Sequence, residues 1–179
     1  MIIVMGPVGV GKSVQGQLLA DKISYNWFSL GHYLRENAPE STQATLSAGK
    51  LLTDTEVIEI IDSELGKTIK DTSILDGFPR TLDQSKWLIE QHKAGRIQIE
   101  AVVLLEADDS VLLGRLMSRG RQDDNEEIIK QRIETYNTLT LPIIEWFSEQ
   151  NVVVHKINGV GSPEDISQSI VKALGKDDN

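Results

Sequence analysis

The sequence predicts an α/β domain built on a five-stranded parallel sheet with helices on both faces. Five short apolar runs are each followed by a stretch in which apolar residues recur three or four positions apart, as expected for strands that alternate with helices. The runs are continuously apolar, which is typical of strands buried on both faces. The predicted strands are 2–5, 27–29, 73–76, 101–105 and 152–157.

The helices between these strands are predicted from their apolar spacing and their end signals. A long helix is expected over 126–149, with a kink at Pro142 because proline lacks an N–H and crowds the preceding turn. The last helix should begin with Ser162 and Pro163, a cap and a first-turn proline, and end at Gly175. The polar stretch 36–49 could form a small insertion over the sheet.

Composition limits the class of protein. A chain of 179 residues with 40% hydrophobic content can form one substantial core, so we expect a single domain over 1–179. No run approaches the roughly 18 apolar residues of a membrane span and no signal peptide is evident, which predicts a cytoplasmic protein without a membrane partner. The absence of cysteine excludes disulfides and thiolate zinc sites, and the formal charge of -9 argues against a nucleic-acid partner.

A glycine-rich loop follows the first strand and precedes a helix expected to start near Lys12. Glycines let backbone N–H groups converge on an anion, the helix N-terminus adds the positive end of its dipole, and Lys12 brings a full charge. Ser13 can ligate magnesium. The loop therefore predicts a triphosphate site on a P-loop NTPase core, against the alternative of an ordinary turn. It consists of Gly6, Pro7, Val8, Gly9, Val10, Gly11, Lys12 and Ser13.

Asp76 ends the predicted strand 73–76, at the edge where a parallel sheet presents its ligands. We expect this carboxylate to face a magnesium ion, through a water molecule. The alternative is that Asp76 only caps the turn before Gly77.

The segment 76–80, Asp-Gly-Phe-Pro-Arg, together with the glycine loop and Gln15, resembles the adenylate kinase family of nucleoside monophosphate kinases. The likeness runs nearly end to end. Further matching stretches are 31–35, 48–54, Arg115 with Arg119, Arg121 with Asp123 and Asp124, Arg132, and 140–142.

The resemblance implies reversible transfer of the terminal phosphoryl group of MgATP to AMP, giving two ADP. The catalytic set that it implies is Lys12, Arg80, Arg119, Arg121 and Arg132. Arginine suits this work because its planar fork binds phosphate oxygens in pairs and keeps its charge. By the same resemblance, the donor ATP is bound by the glycine loop with Val14, Arg115, Arg119 and Gly161, with the Arg115 guanidinium against the adenine.

The acceptor AMP is expected, again by resemblance, between 31–35 and the helix after Thr53, in an insertion at about 30–59, with Arg35 and Arg80 on its phosphate. Gln84 matches the glutamine that reads adenine, and its amide can donate and accept at once; alone, it would be taken for an exposed helix residue. The full acceptor set is Leu30, Gly31, Arg35, Leu52, Val57, Gly77, Arg80, Gln84, Arg121 and Arg132. The residues expected to bind magnesium are Ser13 and Asp76.

The chain departs from the family at three places. Ser13 and Val14 stand where the family has Gly-Thr, so the hydroxyl moves by one residue. Leu30 replaces a threonine beside the acceptor base, which weakens strict AMP specificity. Two mobile parts of the family are abbreviated: the segment between Arg35 and Gly49, and the lid, 119–125. The short lid predicts a slower or leakier enzyme because less water is excluded.

Three alternatives limit these expectations. Some arginines could be surface ion pairs with neighbouring acids, and Arg96, which matches no motif, is interpreted in this way. The acceptor could be UMP or CMP. The chain could also be a non-catalytic nucleotide-binding module, although such a module has no evident need for so many arginines. A monomer is expected.

Overall fold

The computed structural model describes residues 1–39, 42, 51–119 and 125–176. Five strands form one parallel sheet, which confirms the predicted architecture: β1 (Ile2–Met5), β2 (Asn26–Ser29), β3 (Ser73–Asp76), β4 (Ala101–Glu106) and β5 (Val154–Asn158). Their order in space is β2-β3-β1-β4-β5. The order reverses on either side of β1, and the crevice at the carboxyl ends of such strands is where ligands bind in open α/β sheets.

Helices cover both faces of the sheet. Those among the described residues are α1 (Lys12–Ile23), α2 (Leu30–Asn37), α3 (Asp54–Glu64), α4 (Leu82–Lys93), α5 (Asp109–Arg119), α6 (Glu126–Thr135), α7 (Ile143–Glu149) and α8 (Pro163–Ala173). Side-chain oxygens of Thr53, Thr81 and Asn125 accept N–H groups at the starts of α3, α4 and α6. These caps satisfy backbone donors that a helix leaves unpaired. None of the helices in the described part of the chain is long and apolar enough to cross a membrane.

Two hydrophobic clusters sandwich the sheet, because successive side chains of a strand point to opposite faces. Ile2 and Val4 belong to one cluster, which also contains apolar side chains of α1, α5, α6 and α8. Ile3 and Met5 belong to the other, with side chains of α2, α3, α4 and α7. All four strand residues are at most 3% exposed, so β1 is a rigid base for the loop that follows it.

The edge strand β5 differs from the prediction in position and in burial. It spans Val154–Asn158, whereas 152–157 was predicted, and Ile157 is its only fully buried residue. Val152 is also buried, but it precedes the strand, and Val153 is 54% exposed. The expectation of burial on both faces is therefore wrong for β5. This strand lies at the edge of the sheet and has a neighbouring strand on one side only.

The predicted long helix over 126–149 is interrupted. A π-helical segment, Tyr136–Thr140, separates α6 from α7. The Leu141 N–H donates to the carbonyl of Tyr136 at 2.9 Å, a bond across five residues. Pro142 follows at once and cannot donate, so the disruption lies one turn before the proline.

The end signals of α8 are as predicted. The Ser162 hydroxyl accepts the Asp165 N–H at 3.2 Å, Pro163 is the first residue of the helix, and Gly175 has a φ of 63° just after its end. The expected insertion, 30–59, contains α2 and the start of α3. Residues 40, 41 and 43–50 fall outside the described part, as do 120–124, which include Arg121, Asp123 and Asp124 and most of the expected lid.

Candidate active site

A large cavity of about 1220 Å³ lies at the carboxyl ends of the central strands. Its lining extends from the glycine loop at one end to α2, α3 and the start of α4 at the other. This position is the one that the reversal of strand order predicts for a ligand.

The glycine loop is held in a form that only glycine adopts easily. Gly6, Gly9 and Gly11 have φ values of 142°, 84° and 106°. A Cβ atom on Gly6 would lie 2.5 Å from the Leu105 carbonyl oxygen, so the loop packs closely on β4. Gly11 is the residue before α1, and no side chain caps that helix. The first N–H groups of α1 are thus available to an anion in the cavity.

Lys12 lies across this loop. Its Nζ atom donates to the carbonyl oxygens of Gly6 and Pro7, each at 2.8 Å. Burial, opposed by the attraction of Asp76 and reinforced by the positive charges of Arg80 and Arg119, lowers the pKa of Lys12 to about 8. The cavity therefore contains an excess of positive charge that an anionic ligand would neutralise.

Ser13 and Asp76 meet where β3 ends. The Ser13 hydroxyl donates to Oδ2 of Asp76 at 2.7 Å, and Asp76 is 2% exposed. The carboxylate is thereby directed to the phosphate loop, which favours the magnesium role over simple capping of the turn. Across the described ranges, no group of three or more His, Asp or Glu could hold a metal by itself.

Arg80, which follows β3, is fixed at three points. Its Nε atom donates to the Gly77 carbonyl at 2.8 Å, its backbone N–H donates to Oε1 of Gln84 at 2.8 Å, and its carbonyl accepts the Thr140 hydroxyl at 2.8 Å. Burial lowers the pKa of Arg80, Arg132 acts in the same direction, and Asp76 opposes both. An arginine held in this way is preorganised for an anion.

Gln84 is 2% exposed, so the alternative of an exposed helix residue is wrong. Its Oε1 atom accepts from Arg80, and its Nε2 atom donates to Oδ1 of Asp54 at 2.8 Å. Gln84 also lines the cavity.

The other arginines converge on the same space. Arg115 lines the cavity and donates through Nη1 to the carbonyls of Val10 and Gly159, at 3.2 Å and 2.9 Å, so it is tied to the phosphate loop. Arg119, at the end of α5, and Arg132, on α6, also line the cavity. Arg96 instead forms an exposed ion pair with Asp62 at 2.9 Å, as interpreted from the sequence.

Nearly all the described residues predicted for the site line this cavity. The exception is Pro7, whose carbonyl accepts from Lys12; Arg121 lies outside the described residues. Leu30 is 2% exposed and packs in the core. The remaining predicted residues that line it are Val8, Val14, Gly31, Arg35, Leu52, Val57, Gly77 and Gly161.

Several residues at the site received no role from the sequence. Thr140 lines the cavity and holds the Arg80 carbonyl, Gln15 is buried and donates to the Pro163 carbonyl at 2.9 Å, and Asp54 holds Gln84. The neighbouring Pro142 was the available signal for Thr140, because a proline marks irregular backbone at which polar groups are free to bond. Asp54 lies in the matching stretch 48–54, but its residue type alone indicated no role, since an acid in a first helical turn is ordinary.

A parallel sheet with a glycine loop, a Ser–Asp pair at its end and arginines converging from the opposite side defines a P-loop nucleotide-binding kinase fold. A family model described as adenylate kinase matches residues 4–152. Relatives named adenylate kinase include one from Leptospira biflexa, 39% identical over 97% of this chain and 98% of that protein. Another, from Synechococcus sp. (strain CC9902), is 35% identical over 97% of both chains. A relative named adenylate kinase 1, from Nostoc sp., is 36% identical over 97% of this chain and 98% of its own length. The chain belongs to the adenylate kinase family, and it is an enzyme of that kind.

Proposed function

We propose that the cavity is a two-nucleotide site in which the terminal phosphoryl group of MgATP passes reversibly to AMP, giving two ADP. The observation that carries the proposal is that one cavity is lined at one end by the glycine loop with Lys12 and at the other by Arg35 and Arg80, with Arg132 also on its wall. A site for a single triphosphate would need only the first end.

The residues of the chain suit phosphoryl transfer. The bond between the γ-phosphorus and the oxygen that bridges it to the β-phosphate breaks, and a bond from that phosphorus to an AMP phosphate oxygen forms. Lys12 and Arg119 are assigned to the donor phosphates, and Arg35 and Arg80 to the acceptor phosphate. Arg132, and by resemblance Arg121, would compensate the negative charge of the phosphoryl group as it moves from the donor to the acceptor. Rate then comes from alignment and fixed cations rather than from a covalent intermediate.

Magnesium fits the donor end. Ser13 and Asp76 present two oxygens at the edge of the phosphate loop, and Mg²⁺ is usually held by one or two protein oxygens together with water and substrate phosphates. The ion would neutralise charge on the ATP phosphates. We assign Ser13 as a ligand and Asp76 as a ligand through water.

Replacing Ser13 by alanine should therefore weaken magnesium binding while leaving the rest of the phosphate loop in place. We expect the Mg²⁺ concentration at half-maximal rate to rise by about tenfold, a typical cost for losing one metal-supporting group. Ser169→Ala is the control, because the Ser169 hydroxyl bonds only within α8, to the Asp165 carbonyl. An unchanged magnesium midpoint in Ser13→Ala would remove Ser13 from the metal site.

The lowered pKa of Lys12 predicts a pH dependence for MgATP binding. A bound polyphosphate favours the ammonium form, whereas Lys12 of the free enzyme loses its proton as the pH rises through about 8. Affinity should be constant below that pH and fall by up to about tenfold for each pH unit above it. Titration calorimetry near pH 7 and near pH 9.5 would measure the change in MgATP affinity. Repeating the titration at the higher pH in buffers that differ in their heat of ionisation would measure the proton uptake on binding. Equal affinities at the two pH values would contradict the assignment.

AMP is proposed as the acceptor over UMP and CMP. The buried amide of Gln84 faces the acceptor end, and it can both donate and accept at a base edge. Leu30 is packed in the core and brings no hydroxyl to that base. The base is therefore read mainly by Gln84, and AMP selection should not be absolute.

The test is purified protein with MgATP and each of AMP, CMP, UMP and GMP, followed by diphosphate formation. We expect AMP to react fastest. Fastest turnover with UMP or CMP would reassign the acceptor, and no turnover with any of the four would leave a nucleotide-binding module. Both halves of the cavity belong to one chain, which supports action as a monomer, and nucleotide substrates support a cytoplasmic location.

A further inference from the structure

We propose that Asp54 is a specificity-positioning residue, which locks the amide of Gln84 in the orientation that selects a base with a 6-amino group over one with a 6-oxo group. The inference rests on the proposed function, because it takes the base of the acceptor monophosphate to lie against Gln84. Asp54 does not itself line the cavity, yet by this inference it takes part in the choice of substrate.

Two partners of opposite kind hold the Gln84 amide. Its Nε2 atom donates to Oδ1 of Asp54 at 2.8 Å, and its Oε1 atom accepts the Arg80 backbone N–H at 2.8 Å. Rotation of the amide by half a turn would place Oε1 against the carboxylate of Asp54 and Nε2 against an N–H donor. Both contacts would then be repulsive, so only one orientation is stable.

Each amide atom retains one hydrogen-bonding position. Nε2 carries a second hydrogen, and Oε1 has a second lone pair. Adenine offers an acceptor at N1 and a donor at its amino group, whereas a 6-oxopurine offers a donor at N1 and an acceptor at O6. A glutamine free to rotate can match either edge. A locked glutamine matches only one of them.

Asp54 is itself held firmly. Its Oδ1 atom also accepts the Thr81 hydroxyl at 2.8 Å. Thr81 caps α4, and Asp54 is the first residue of α3, behind a capping box formed by Thr53 and Glu56. The carboxylate therefore joins the starts of two helices, and Gln84 projects from one of them. An acid in the first turn of a helix has a simpler role, which is to interact with the helix dipole.

Asp83 provides the matched control for that simpler role. It lies in the first turn of α4, is exposed and pairs with Lys86 at 3.1 Å. Asp83→Ala removes a first-turn acid without touching Gln84. Asp54→Asn, in contrast, retains an oxygen that can accept from both Thr81 and Gln84.

The experiment measures kcat/KM for AMP and for IMP, whose bases differ in the group at position 6 and in whether N1 accepts or donates a hydrogen bond. Asp54→Ala should lower the AMP-to-IMP ratio by about tenfold, the equivalent of one lost hydrogen bond. The ratio should stay within about threefold of the wild type in Asp54→Asn and be unchanged in Asp83→Ala. If Asp54→Ala does not fold, Asp54→Ser, whose hydroxyl is too short to reach Nε2, takes its place.

A folded Asp54→Ala or Asp54→Ser enzyme with the wild-type ratio, even with both rates lowered equally, would overturn the lock and leave Asp54 with a structural role. Failure of the proposed function gives a different result. The wild-type enzyme would then turn over neither AMP nor IMP, or would prefer IMP.

Discussion

Replacing Arg80 by alanine is expected to lower the kcat of phosphoryl transfer by about a thousandfold or more. Arg80 lines the cavity, with its guanidinium fixed through Nε to the Gly77 carbonyl. Its charge would meet the acceptor phosphate in the ground state and the migrating group in the transition state. MgATP affinity should change by less than about threefold, because we assign the donor phosphates to the glycine loop and Lys12.

The measurement is steady-state transfer with AMP as the varied substrate, together with MgATP binding by calorimetry. Arg96→Ala is the matched control, since Arg96 is exposed and pairs with Asp62 away from the cavity, and such pairs contribute little. Transfer at the wild-type rate in Arg80→Ala would show that the acceptor site has been wrongly placed.

Replacing Lys12 by methionine is expected to lower kcat/KM for MgATP by about a thousandfold, with the loss in both affinity and rate. Lys12 is the charge on the phosphate loop, and its Nζ atom can exchange the carbonyls of Gly6 and Pro7 for phosphate oxygens. Folding should not suffer. Burial disfavours the ammonium form of Lys12, as its lowered pKa shows, so an apolar side chain of similar length removes a desolvation cost.

Calorimetry with MgATP and thermal unfolding of both proteins test this pair of expectations. Lys22→Met is the control on the same helix, because Lys22 forms only a surface ion pair with Glu164 at 2.7 Å. MgATP binding of wild-type strength in Lys12→Met would exclude Lys12 from the phosphate site. A large fall in the unfolding temperature would contradict the energetic argument.

The parts of the site predicted from the sequence are those that short motifs determine. The glycine loop is eight consecutive residues between a strand and a helix, so its conformation follows from local chemistry. Asp76 is the last residue of β3 and Arg80 follows it by four residues, which brings both to the carboxyl edge of the sheet. The strands were predicted because continuous apolar runs bury both faces in a parallel sheet.

The contacts missed from the sequence depend on tertiary packing. Asp54 and Gln84 are thirty positions apart and meet only because α3 and α4 start side by side. Thr140 reaches the Arg80 carbonyl from a π-helical segment, where a regular helix was predicted. The burial of β5 was overestimated because edge position is decided by strand order, which hydrophobic pattern alone does not determine.

The central claim, direct transfer between two nucleotides in one cavity, is tested most directly by following the label from γ-labelled ATP with and without AMP. With AMP, we expect the label to appear in the β-phosphate of the ADP made from AMP, and without AMP we expect it to be released only slowly as inorganic phosphate. Release of label as inorganic phosphate at the same rate in both cases would contradict the claim.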